Sequence, residues 1–174
     1  MPFSYFVAEV DLISGRIIGA AIGLHKKYGP GLLESVYTPC LGRELVAQGM
    51  EVEIEKPLGL KHEGLTIHRA YVLDLLVEGQ VIVEVKCVAK VAPIHRAQLL
   101  TCLRLTGLQL GLIINFNVPR LIDGVHRVVN GYEPDEHHGG GGPIHPDPAL
   151  FRNGEREIRP SKTDLPLRPL RAPR

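Results

Sequence analysis

Apolar and polar positions recur with two different periods along this chain, and the change of period marks out its elements. From Asp11 to Lys27 the apolar residues Ile13, Ile17, Ile18, Ala21, Ile22 and Leu24 fall at helical spacing, with polar residues on the other side. Gly29-Pro30-Gly31 ends that run. A second helical stretch covers roughly Leu32–Gln48 and stops at Gly49. Pro39 falls inside it, and an interior proline costs a helix about 3 kcal/mol. The stretch is therefore expected to kink, or to split into a turn and a helix with Thr38 as N-cap and Pro39 at the first position.

The period then drops to two. "EVEIE" alternates from Glu51 to Glu55, and "LGLKHEGLTI" has the form of a hairpin turning near His62–Gly64. "VLDLLVEGQVIVEVKCV", Val72–Val88, predicts two strands around Glu78-Gly79. Pro93 suits the first position of another helix and Gly107 its C-terminal end. "LQLGLIINF" predicts a last, buried strand. Helix, helix, several strands, helix and strand make a mixed α/β domain whose sheet starts antiparallel.

Composition changes near Asn130. Residues 131–174 hold eight of the fourteen prolines and six glycines, with seven basic and seven acidic residues. This segment lacks the apolar surface to offset the entropy of ordering and predicts a disordered Pro/Gly-rich tail, leaving a domain over 5–130. Its "HHGGGG" suits a flexible linker better than a metal site. There is no run of about eighteen apolar residues and no leader-type N-terminus, so a soluble, cytoplasmic protein with no membrane contact is expected. Cys40, Cys87 and Cys102 suit reduced thiols. A net charge of +1 lacks the overall basic balance of a nucleic-acid binder, although a local groove can be basic in a neutral chain.

The candidate chemistry lies in Val72–Val88. Successive strand residues alternate faces. Leu73, Leu75, Val77, Val81, Val83 and Val85 form an apolar face, while Asp74, Glu84 and Lys86 cluster on the other. With Glu78-Gly79-Gln80 as the loop, Val77 pairs with Val81 and Asp74 lies opposite Glu84. Like charges across a ladder cost roughly 0.2–1 kcal/mol, and more when buried. A divalent cation between the carboxylates would remove that cost, since Mg²⁺ prefers oxygen donors. Lys86 points the same way and could orient a water or neutralise developing charge. Solvated charges on an open face would give the same pattern, but strands this apolar are usually covered on both sides.

"GPGLLESVY" at Gly29–Tyr37, "YVLDLLVEGQVIVEVKCV", "HRAQLL" at His95–Leu100 and "LRLTGLQLGLIINF" follow one another in an order that resembles the GxxExxY proteins. That family is grouped with the PD-(D/E)XK nuclease superfamily. The resemblance spans about Ile13 to Val129. It implies a restriction-endonuclease-like core, a central mixed sheet flanked by helices. It also implies metal-dependent hydrolysis of phosphodiesters in DNA or RNA with Mg²⁺ or Mn²⁺. By the same resemblance Asp74 and Glu84 would be metal-binding acids and Lys86 the motif lysine. Glu34 would be a further acid at the metal, and Gln98 would assist. Tyr37, three residues after Glu34, could bond it, touch substrate or pack in the core. His95 could meet a phosphate or serve the helix end. Cys87 has no histidine placed to activate it. The competing function is a non-catalytic module of the same fold that binds nucleic acid or a protein, and a homodimer through the first helix is left open.

Overall fold

The structure is a computed structural model that describes residues 3–131, with side chains from residue 9 onward. The expected tail lies outside the described residues except for Gly131. The elements are α1 (Phe3–Tyr28), α2 (Glu34–Ala47), β1 (Val52–His62), β2 (Leu65–Val77), β3 (Val81–Lys86), α3 (Pro93–Thr106), β4 (Leu110–Asn115), a 3-10 turn (Leu121–Gly124) and β5 (Val125–Val129).

The five strands form one sheet in the order β1-β2-β3-β4-β5. Only β3 and β4 run parallel, and α3 makes the crossover that such a pair requires. Two apolar clusters set the layers. On one face Ile13, Ile17 and Leu24 of α1 and Tyr37, Leu41 and Leu45 of α2 pack on Leu75, Val83, Val85, Leu112 and Ile114. On the other, Leu99, Cys102 and Leu103 of α3 pack on Leu73, Leu76, Ile82 and Ile113. All six residues of β4 are buried. This is a mixed α/β sheet with helices on both faces, consistent with a restriction-endonuclease-like fold.

Local chemistry explains most of the element ends. Pro93 opens α3, and Gly107 closes it in the left-handed conformation at φ +73°. Glu63 and Gly64, both at positive φ, form the β1–β2 turn that this geometry favours. Val77 pairs with Val81 and Leu75 with Val83, the register expected from the three-residue loop. All three cysteines are free thiols. Among the described residues, no helix is long and apolar enough to cross a membrane.

Four expectations need correction. The first helix starts at Phe3 rather than Asp11, and Val10 extends the buried stripe of Ile13 and Ile17 by one turn. The second helix does not split at Pro39. Ser35, whose carbonyl would have taken the missing N–H, is solvent-exposed, so water can satisfy it. The sheet also has a fifth strand, β5. "VHRVV" is short and half-exposed, with His126 and Arg127 interrupting its valines, as edge strands tend to be, and so lacks the strong signal of a buried strand. Finally, Leu73 does not share a cluster with Leu75: the alternation along β2 breaks at Asp74.

The α3–β4 contact depends on one glycine. A Cβ on Gly111 would lie 2.8 Å from Leu99, a side chain that is itself fully buried. Gly111→Val should destabilise the fold by roughly 1–3 kcal/mol, read as a lowered melting temperature.

Candidate active site

The charged side chains gather where the central strands leave the core. Regular β2–β3 pairing stops at Leu75↔Val83. One residue further on, the Asp74 carboxylate accepts the Val85 N–H through Oδ2 at 2.8 Å. Asp74 therefore lies beside β3 and satisfies an amide at the strand's end, its carboxylate feeling the charge of Glu84 although the paired register ends one residue earlier. On its other side Glu55 falls between the pairs Ile54↔Leu75 and Lys56↔Leu73, with φ +52°. A non-glycine residue in that region is uncommon. It coincides with the break in alternation at Asp74.

Lys86, the last residue of β3, connects the site. Its Nζ donates to Glu84 Oε1 at 2.7 Å, to the Val85 carbonyl at 3.0 Å and to Glu34 Oε1 at 3.3 Å. Glu34 opens α2, where the positive end of the helix dipole favours an acid. The loop that delivers it uses Gly29 and Gly31, both at positive φ. It is pinned by Tyr37, whose hydroxyl donates to the Gly29 carbonyl and whose ring stacks on Phe116 at 4.0 Å between centroids. Asn115 secures the chain beyond Lys86. This buried residue accepts the Val88 N–H through Oδ1 at 3.1 Å and donates to the Val88 carbonyl through Nδ2 at 2.8 Å.

An open cleft of about 440 Å³ is lined by Leu33, Glu34, Ser35, Thr38, Glu55 and Asp74. A second, of about 340 Å³, lies on the other side of Leu33 and Glu34, against Cys87 and Asn117.

The electrostatics follow from burial and crowding. Burial first, then the charge of Glu84, pushes the Asp74 carboxyl up to about 6, against the pull of the Val85 N–H and of Lys86. Burial alone would lower Lys86, but the Glu84 hydrogen bond and the charges of Glu84, Glu34 and Asp74 outweigh it and raise the ammonium above its usual value. Lys86 thus stays protonated at neutral pH.

The structure therefore brings Asp74, Glu84, Lys86 and Glu34 together. Gln98 is exposed on α3, four residues before Cys102. Burial, then the Glu84 charge, pushes the Cys102 thiol up to about 11, which places that flank of α3 near Glu84. No hydrogen bond joins Gln98 to Asp74, Glu84 or Lys86. The two residues expected to meet substrate or serve the fold are placed as follows. Tyr37 is fully buried, where it packs in the core and anchors the loop, one of the roles expected for it. His95 turns back on its own helix, with Nδ1 accepting the Ala92 N–H at 3.2 Å. The sequence reading missed Glu55 and Asn115. Asn115 had a signal, as the lone polar residue closing the apolar strand "LGLIIN". Glu55 had none, because it looks like any exposed acid on an alternating strand.

The donor set suits a hard cation. Two carboxylates and the Val85 carbonyl are oxygen donors of the kind Mg²⁺ takes, usually completed by water. Lys86 already places a positive charge against Glu84, Glu34 and Val85. Among the described residues, no three His, Cys, Asp or Glu side chains are grouped to hold a metal ion by themselves. Any such ion would draw on backbone, water or substrate oxygen as well.

The family model of the PD-(D/E)XK nuclease superfamily matches residues 11–128. The chain belongs to this superfamily. Members of the PD-(D/E)XK superfamily generally use divalent metals, and their fold generally implies nucleic-acid binding. Neither the curated proteins nor the solved structures compared with the chain gave a match.

The Asp74 carboxyl gives a signed test. Its folded pKa of about 6 lies above the ordinary 3.8. The native state then binds more protons than the unfolded one between these values, and stability falls as pH rises from about 4 to 6. Asp74→Asn keeps an acceptor for Val85 and removes the charge. In chelator-treated buffer at pH 7 it should raise the melting temperature by roughly 3–6 °C, for about 1 kcal/mol after allowance for solvent screening. The gain should vanish below about pH 4.

Proposed function

We propose that this chain is a divalent-cation-dependent nuclease that hydrolyses phosphodiester bonds in DNA or RNA. The observation that carries this reading is the Lys86 ammonium, held among Glu84, Glu34 and the Val85 carbonyl beside Asp74. A purely structural ion pair needs one acid; here three surround one lysine at the edge of an open cleft.

Asp74 and Glu84 would hold Mg²⁺ or Mn²⁺ with the Val85 carbonyl, and Glu34 would contribute from the cleft side. When bound, such an ion supplies Lewis-acid stabilisation of the phosphate and a water of lowered pKa. The chain's own residues do the positioning. Lys86 is protonated, so it acts as a hydrogen-bond donor that orients the attacking water and offsets negative charge, and not as the general base. The Asp74–Val85 bond keeps the end of β3 in place while the acids are engaged. Gln98 would assist from the α3 flank.

One observation favours the alternative, a non-catalytic binding module. Lys86 already pairs with both Glu84 and Glu34, so two of the three acids have a cationic partner without any added ion. Calorimetry separates the two. Under the nuclease reading the wild type takes up Mn²⁺ or Mg²⁺, and Glu84→Ala weakens uptake at least tenfold. Lys86→Met should lower the rate of phosphodiester cleavage by roughly 10²–10³ while the ion still binds. Ion binding unaffected by Glu84→Ala, with no cleavage of DNA or RNA, would leave the module reading in its place.

A further inference from the structure

The β1–β2 hairpin runs well past the core. From the pair Leu58↔Tyr71, the last with a buried core residue, to the tip at Gly64 it extends six residues, about 20 Å. Residues 61–69 are all exposed, so this part adds nothing to either apolar cluster. It is rooted at the site, since Asp74 and Glu55 stand where the hairpin leaves the sheet.

The hairpin is also irregular in one place. Between Leu58↔Tyr71 and Leu60↔Ile67, β1 has only Gly59 while β2 has His68, Arg69 and Ala70. A bulge of this kind bends the ribbon and re-aims the side chains on the longer strand. His68 and Arg69 are the residues re-aimed. Across residues 61–69 the cations are Lys61 and Arg69 and the one acid is Glu63, so with histidines neutral this short segment carries +1, as much as the whole chain, and His62 and His68 add ring nitrogens beside them. Leu65 and Ile67, 57% and 41% exposed, sit among them near the tip.

We infer that this hairpin is an arm that grips double-stranded DNA next to the catalytic cleft; the inference rests on the nuclease reading. A two-stranded ribbon fits a B-form major groove about 12 Å wide, whereas the deep, narrow major groove of duplex RNA does not admit side chains in this way. Lys61 and Arg69 match phosphates, and Leu65 and Ile67 match thymine methyl groups. Arg69 lies five residues along the strand from Asp74, at most about 17 Å, or five base pairs from the bond to be cut. The arm explains how a nearly neutral chain holds a polyanion: the basic charge is set outside the acidic cleft.

The test uses the full chain and a fluorescent 30-base-pair DNA duplex, in Ca²⁺ to limit cleavage, with anisotropy read from 50 to 200 mM salt. The paired substitution Lys61→Ala and Arg69→Ala should weaken binding at least tenfold. It should also flatten the slope of log affinity against log salt by about 1.8, or 0.9 per lost phosphate contact. Mn²⁺ uptake should not change, and Lys61→Arg with Arg69→Lys should restore binding. Duplex binding that is equal in wild type and the paired variant would overturn the arm and leave the nuclease reading standing. So would binding of single strands or RNA alone. Self-association lost in Leu65→Ser with Ile67→Ser, without any effect on DNA affinity, would make the arm a contact between copies and also overturn it. Failure of Mn²⁺ uptake by the wild type would count against the nuclease reading instead.

Discussion

The burial of β3 between two helical layers is the constraint from which the site follows. Val81, Val83 and Val85 face α1 and α2, while Ile82 faces α3. A strand covered on both faces cannot leave polar groups unpaired where it ends, because each would cost a large part of a hydrogen bond's full strength. The chain meets this with side chains: Asp74 takes the Val85 amide, Lys86 takes the Val85 carbonyl and Asn115 takes both polar groups of Val88. The same groups form the candidate active site. Satisfying the strand end and assembling the acids are one structural act.

That coupling accounts for the balance of charge. Asp74 is held in a place that favours its neutral form, and Lys86 in one that favours its charged form. Both groups are shifted upward, and perturbed groups side by side are a frequent mark of functional sites. Here Lys86 joins α2 to β3 across 52 positions of sequence, so the ammonium also fixes how the first helical layer meets the sheet.

Much of the fold could be read from local signals. Pro93 and Gly107 bracket α3 because proline suits a helix start and a left-handed glycine suits its end. The Val77↔Val81 register followed from loop length and the need to keep apolar residues on one face. Pro39 misled, because its cost depends on whether the orphaned carbonyl can reach water, and that is settled by packing. β5 was missed because an edge strand needs no strong apolar pattern of its own.

The sequence by itself determined the element types, most of their ends and the company of Asp74, Glu84 and Lys86 on adjoining strands. Each of those depends on backbone preferences or on neighbours within one hairpin. Tertiary structure alone decided that Glu34 meets Lys86, that Tyr37 is spent on Gly29 and Phe116, and that Leu73 parts from Leu75 at Asp74. These outcomes depend on how helices seat against a twisted sheet, where side chains far apart in sequence compete for the same buried space and the same hydrogen-bond partners.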